Sequence, residues 1–153
     1  MNVDDSRREA QPIAGLSANS VLAGAVAGVL AGVVFGLIMS MMGMMPMIAS
    51  LVGFQSVAVG WVVHLIISAI IGGIYGLVLG SVGRTIGTGW WVGALYGVVW
   101  WVLGPLLIMP VMMGMGPQFG MAFAEGNLMS LMGHIVFGII LGVAYPPIRT
   151  RVA

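Results

Sequence analysis

The run VAVGWVVHLIISAIIGGIYGLVLG, residues 57–80, carries no charge and a single histidine, His64. As a helix it would rise about 36 Å, more than the roughly 30 Å of hydrocarbon in a bilayer. It therefore reads as a membrane span with an imidazole inside it. Three more runs share this character: Ser20 to Met44, Trp90 to Met109, and Leu128 to Tyr145. The 153-residue chain is 60% hydrophobic and 6% charged, with a mean hydropathy of +1.13, too apolar to be covered by polar surface in water. The fold class expected is all-α and integral to the membrane. A single four-helix domain over 20–147 is flanked by tails over 1–19 and 148–153. The first run is too long for the apolar core of a cleaved leader, and more membrane sequence follows it. Pro46, Pro110 and the Pro146-Pro147 pair should end three of the runs, because proline lacks an amide donor and disfavours helix in the residue before it.

Working outward from His64, the other histidine, His134, stands at an offset of 70, where Met39, Met42 and Met45 also fall on Met109, Met112 and Met115. Leu37, Ile38, Ile70, Gly72 and Tyr75 meet identical residues at this offset, and Gln55 meets Glu125. The stretch Gly24 to Val29 matches Gly93 to Val98 better, at an offset of 69. Such self-similarity predicts two parallel two-helix repeats, about 20–83 and 90–153, related by a pseudo-two-fold axis along the membrane normal.

Arg7 and Arg8 precede the first span, Arg84 lies between the second and third, and Arg149 and Arg151 follow the fourth. All five fall on one side of an even-spanning chain. By the positive-inside rule that side is cytoplasmic, which puts both termini there in a multi-pass protein of the cell membrane. The net charge is only +1 and lysine is absent, so no nucleic-acid surface is expected. The partner expected first is the lipid bilayer.

Small residues recur at helical spacing: Gly24, Gly28, Gly32 and Gly36 in the first span, Gly72, Gly76 and Gly80 in the second, Gly93 with Gly97, and Gly138 with Gly142. In lipid such ladders let two backbones approach closely, within the bundle or between protomers. A homo-oligomer or a subunit of a membrane complex is the expected assembly. Tyr75 and Tyr145 near the ends of spans two and four, with Trp90 and Trp91 opening span three, fit the aromatic belt of an interface. The Gly104-Pro105 pair should kink span three.

Ionisable side chains inside spans are functional candidates by default. His64 and His134 should lie at similar depth, about 10 Å beneath the outer face, and could meet across the pseudo-axis. Ser68 and Ser130, each one turn from a histidine, are placed to orient the rings. The outer-end methionines Met39, Met42, Met45, Met109, Met112 and Met115 offer thioethers, and Gln55 and Glu125 flank the approach. Thioether and imidazole suit soft ions such as Cu(I). Three functions follow. The first is binding or translocation of a soft metal ion or a proton at this Met/His site; the second is a haem b ligated by both histidines. The third is a non-catalytic scaffold or an oligomeric channel subunit. No enzyme is expected, since a chain without lysine or cysteine has no P-loop and no thiol nucleophile, and no recognisable triad is present.

The stretch from His64-Leu65-Ile66-Ile67-Ser68, through Gly93-Ala94-Leu95 and the Pro110 region, to Gly133-His134-Ile135-Val136 resembles the YagU-like bacterial inner-membrane proteins. The resemblance covers the last three spans and implies the membrane fold. Through the family's association with acid tolerance, it also implies proton-responsive histidines. Ser130 stands one turn before His134 where the family pattern has a carboxylate.

Overall fold

The computed structural model describes residues 18–152. The main helices are α1 (Ala18–Met41), α3 (Val57–Val78), α4 (Ile86–Leu103) and α6 (Glu125–Val152), and the short ones are α2 (Met45–Ser50) and α5 (Met109–Met112). A π-helical turn over Gly104–Ile108 joins α4 to α5, so that the third span runs from Ile86 to Met112. Four helical segments are long and apolar enough to cross a membrane, and the described residues contain no strand. The expected tail over 1–19 lies largely outside the described residues, Arg7 and Arg8 included.

Local chemistry accounts for the helix ends. At the close of α1, Gly43 takes φ 70° and the Met44 amide bonds back to the Met39 carbonyl at 2.9 Å. Ser56 caps α3 by accepting from the Val59 amide, and Thr85 and Thr88 cap α4 reciprocally. Pro46 stands in the first turn of α2, where a missing amide costs nothing, whereas Pro110 lies inside the third span, which continues past it to Met112 and is not ended by it. Pro146 and Pro147 do not end the fourth span. α6 passes through both to Val152, so the segment expected as a tail after residue 147 is helical. Proline φ is itself helical, the two carbonyls deprived of donors lie in the last turns of the span, and Tyr145 just before is fully buried and holds the helix in place.

α1 packs against α3 and α4 against α6, each pair antiparallel and glycine-lined. A Cβ built on Gly24 would strike the Gly72 carbonyl, and one on Gly28 the Ser68 carbonyl. In the second pair Gly89 meets Gly142, Gly93 meets Gly138, and Gly97 meets the His134 carbonyl in the same way. Gly89 belongs to this set although the sequence ladder begins at Gly93. In lipid no hydrophobic drive brings helices together, and backbone approach of this kind supplies dispersion and weak Cα–H···O bonding instead. Because the ladders are used inside one chain, they are not available as the glycine face of an oligomer.

The pairs join where α1 runs along α6 and where the Tyr96 hydroxyl of α4 donates to the Ile71 carbonyl of α3 at 2.6 Å. Ala23, Ala27 and Ala31 form a fully buried, small-residue seam along α1. The proline at 105 acts as the sequence implies, converting the helix to a π turn after Leu103. Trp101, just before the turn, donates through Nε1 to the Asn127 carbonyl at 2.8 Å and ties span three to the start of α6. Trp90 and Trp91 are exposed. Tyr75 and Tyr145 are not: both are fully buried, ring against ring at 5.5 Å. They face the bundle interior, where small neighbours leave room for rings.

Gly72→Ala and Gly93→Ala should each destabilise the bundle by about 1–3 kcal/mol, because the added methyl meets backbone rather than a movable side chain. Gly126→Ala, with open space around it, should leave stability unchanged. Reversible unfolding in detergent micelles measures all three.

Candidate functional site

Phe35 on α1 meets both histidines, His64 on α3 and His134 on α6. Its ring stands edge-wise to His64 at a centroid distance of 5.7 Å and to His134 at 5.0 Å. The Phe35 ring fills the notch left by Gly133, the residue before His134. Trp61 closes the other side of His64 at 6.3 Å and covers Gly36. His64 is buried, and His134 is partly so. The imidazoles thus share one neighbour. Phe35 carries no sequence signal beyond being apolar, and only the α1–α6 contact reveals its place.

Each ring bonds a backbone carbonyl, and carbonyls only accept. His64 therefore donates through Nε2 to Gly32 O at 2.9 Å, and His134 donates through Nδ1 to Ser130 O at 2.8 Å. In the neutral state the two histidines are opposite tautomers, leaving Nδ1 of His64 and Nε2 of His134 as acceptors. The His134 Nε2 looks toward Gly104, at the first residue of the π turn. Ser130 Oγ also approaches Nδ1 of His134 at 3.4 Å. Ser68 does not orient an imidazole: its hydroxyl bonds back to the His64 carbonyl at 2.7 Å, the usual choice of a helical serine.

The methionines are dispersed. Met39 is buried at the end of α1 and Met45 is buried in α2, while Met42 is exposed in the turn between them. The slanting stripe expected on one helix is broken because α1 stops at Met41. Met109 lies partly buried against the core, and Met112 and Met115 are exposed. Gln55 is exposed in the loop before α3, and Glu125 is exposed in the first turn of α6, where its charge complements the helix dipole. Among the described residues no three His, Cys, Asp or Glu side chains cluster.

A haem b ligated by both histidines would have to displace the Phe35 ring that packs against each of them. A groove of about 390 Å³ lies elsewhere, between the outer faces of α1 and α3 along Ala25, Ala69 and Gly73. A soft ion is chemically compatible with the free imidazole nitrogens and the buried thioethers of Met39 and Met45.

No protein-family model matches the sequence, and neither a curated protein nor a solved structure matches it.

With only two histidines in the chain, the tautomers can be read directly. Long-range ¹H–¹⁵N spectra of histidine-labelled protein at neutral pH should show one Nε2–H and one Nδ1–H ring, and His134→Phe should remove the Nδ1–H set. Phe35→Ala should cost about 3–5 kcal/mol of stability through the cavity it leaves and should loosen both rings, seen as broadening of those signals.

Proposed function

We propose that the chain is a small, non-catalytic membrane protein that takes up protons at the His64–Phe35–His134 cluster near the outer face of the bilayer. The observation that carries this reading is the pair of free ring nitrogens. The bonded nitrogens already hold hydrogen, so a proton can add to His64 Nδ1 or His134 Nε2 without breaking either carbonyl bond. A second cation beside the same phenyl is opposed by the first, so the pair titrates as a unit. The resemblance to YagU-like proteins agrees with this reading.

The proposal includes internal duplication and a topology with both termini in the cytoplasm of a cell-membrane protein. The helix crossings support the duplication. If His64 is equated with His134, the crossing contacts equate Gly24 and Gly28 with Gly89 and Gly93, an offset of 65 on the first helix of each pair. That is one helical turn from the 69 read in the sequence. Glycines at four-residue spacing match equally well after such a slide. The ladders being internal, an oligomer or a larger membrane complex would use the remaining apolar surface.

A second reading, Cu(I) held by the imidazoles with Met39 and Met45, draws on the burial of those two thioethers in the same core cluster as Phe35. The two readings separate in one experiment. Titrating histidine-labelled protein from about pH 8 to about pH 4 should show two distinct protonation steps, reduced to one in His64→Phe. Imidazoles that keep their neutral signals throughout would overturn the proton reading. Stoichiometric Cu(I) held against a competing chelator, and lost in the His64→Phe, His134→Phe double variant, would replace it with the metal reading.

A further inference from the structure

The outer faces of α1 and α3 do not meet flush. Two hollows of about 390 and 260 Å³ lie along them and share Ala25 and Ala69, so together they form one trough. Val21, Ala25 and Leu30 line it from α1, and Ala69, Gly73 and Leu77 from α3, with no polar side chain among the lining residues. Its floor is low because alanine and glycine stand at its centre, while Val21, Leu30 and Leu77 are exposed along its edges.

From Val21 to Leu30 on one helix, and from Leu77 back to Ala69 on the other, the trough runs about 12–14 Å. That is close to the depth of one leaflet, half of the roughly 30 Å of hydrocarbon in a bilayer. Its foot, between Val21 and Leu77, lies at the arginine end of the bundle. Gly80, about one turn past Leu77, accepts from Nη1 of Arg149 at 3.4 Å, and Arg84 is exposed in the same connection between α3 and α4. The one carboxylate among the described residues, Glu125, is at the far end, so both guanidiniums keep charge and N–H donors to spare. Inside, the turn is closed: a Cβ on Gly80 would strike the Tyr145 hydroxyl, and one on Gly83 the Tyr75 hydroxyl. An anion that meets these arginines therefore comes from the membrane surface.

We infer that the trough holds one acyl chain of an anionic glycerophospholipid from the leaflet on the arginine side, with its phosphate at Arg149 and Arg84. Hydrocarbon suits a wall that offers no hydrogen-bonding side chain, an extended acyl chain matches the length, and the glycerol unit spans the step from Leu77 to the turn. A second copy of the chain is the poorer occupant. It would bring a helix about 10 Å across to a trough floored by two alanines and a glycine, and in parallel orientation its own arginines would stand against Arg84 and Arg149.

The test uses the full chain in micelles, with lipid adducts counted by native mass spectrometry. One phosphatidylglycerol per chain should be retained, about tenfold more strongly than phosphatidylcholine. Arg84→Gln with Arg149→Gln should bring the two lipids level. Ala25→Leu with Ala69→Leu, which fills the trough, should remove the adduct, whereas Leu95→Ala, on the exposed face of α4, should leave it. A second measurement needs no variant that could fail to fold. Phosphatidylglycerol carrying a nitroxide midway along one acyl chain, at one equivalent per chain, should broaden the Ala25 and Ala69 methyl signals of alanine-labelled protein before those of other lipid-facing alanines. The inference is overturned if both lipids are retained equally, if filling the trough leaves the adduct in place, or if all lipid-facing alanines broaden alike, as they would in an unselective lipid annulus. It is also overturned if the parent is a dimer that the Ala25→Leu, Ala69→Leu variant splits, which would give the trough to a second copy.

Discussion

Contact between backbones across glycine is the constraint on which the rest of this structure depends. With lipid on all sides, burying apolar side chains yields no net drive to associate, so helices must gain from close approach itself. Gly24 on Gly72 and Gly93 on Gly138 provide that approach, each carbonyl lying where a side chain would otherwise stand. Such contacts set both the depth and the rotation of each helix against its neighbour. Rotation in turn decides that Ser68, Tyr75 and His64 point inward while Ile66, Ile70 and Val78 on the same helix face out.

The interior so formed is polar at its two ends and closed between them by the alanine seam of α1. At the methionine end two imidazoles contact Phe35; at the arginine end two phenols meet edge to face. Both pairs are related by the same offset of 70 residues. The ends differ in how they meet the demand for hydrogen bonds. Each histidine takes a backbone carbonyl, which settles its neutral tautomer and frees its other nitrogen. The tyrosines Tyr75 and Tyr145 take none, although Tyr96 beside them does.

Much of this was legible from residue types. Spans of about the right length, and a break at Pro105, follow from local rules that the fold obeys; the Ser56 and Thr85 caps and the positive φ of Gly43 appear only in the structure. The glycine ladders announced close packing, although spacing alone could not say which partner each ladder meets or in which register, because a slide of one turn brings glycine onto glycine again. Phe35 was invisible, being one apolar residue among many. Tyr145 misled because an aromatic residue near the end of a span serves equally well at an interface or in a core. Pro146 and Pro147 misled because proline's cost in a helix depends on whether the deprived carbonyls sit deep in lipid or near its edge. The methionine stripe failed for a simpler reason: α1 ends at Met41, and residues beyond it no longer follow helical angles.

Sequence by itself determined that this chain carries four helices long and apolar enough to cross a membrane, roughly where they lie, and that two imidazoles lie inside them, because length and hydropathy act over a few residues. Only the tertiary structure decided that the imidazoles share Phe35, that their free nitrogens differ, and that two tyrosine hydroxyls are buried together beneath Gly80 and Gly83. Those outcomes turn on the rotation and register of whole helices, which arise from contacts between segments far apart in the chain.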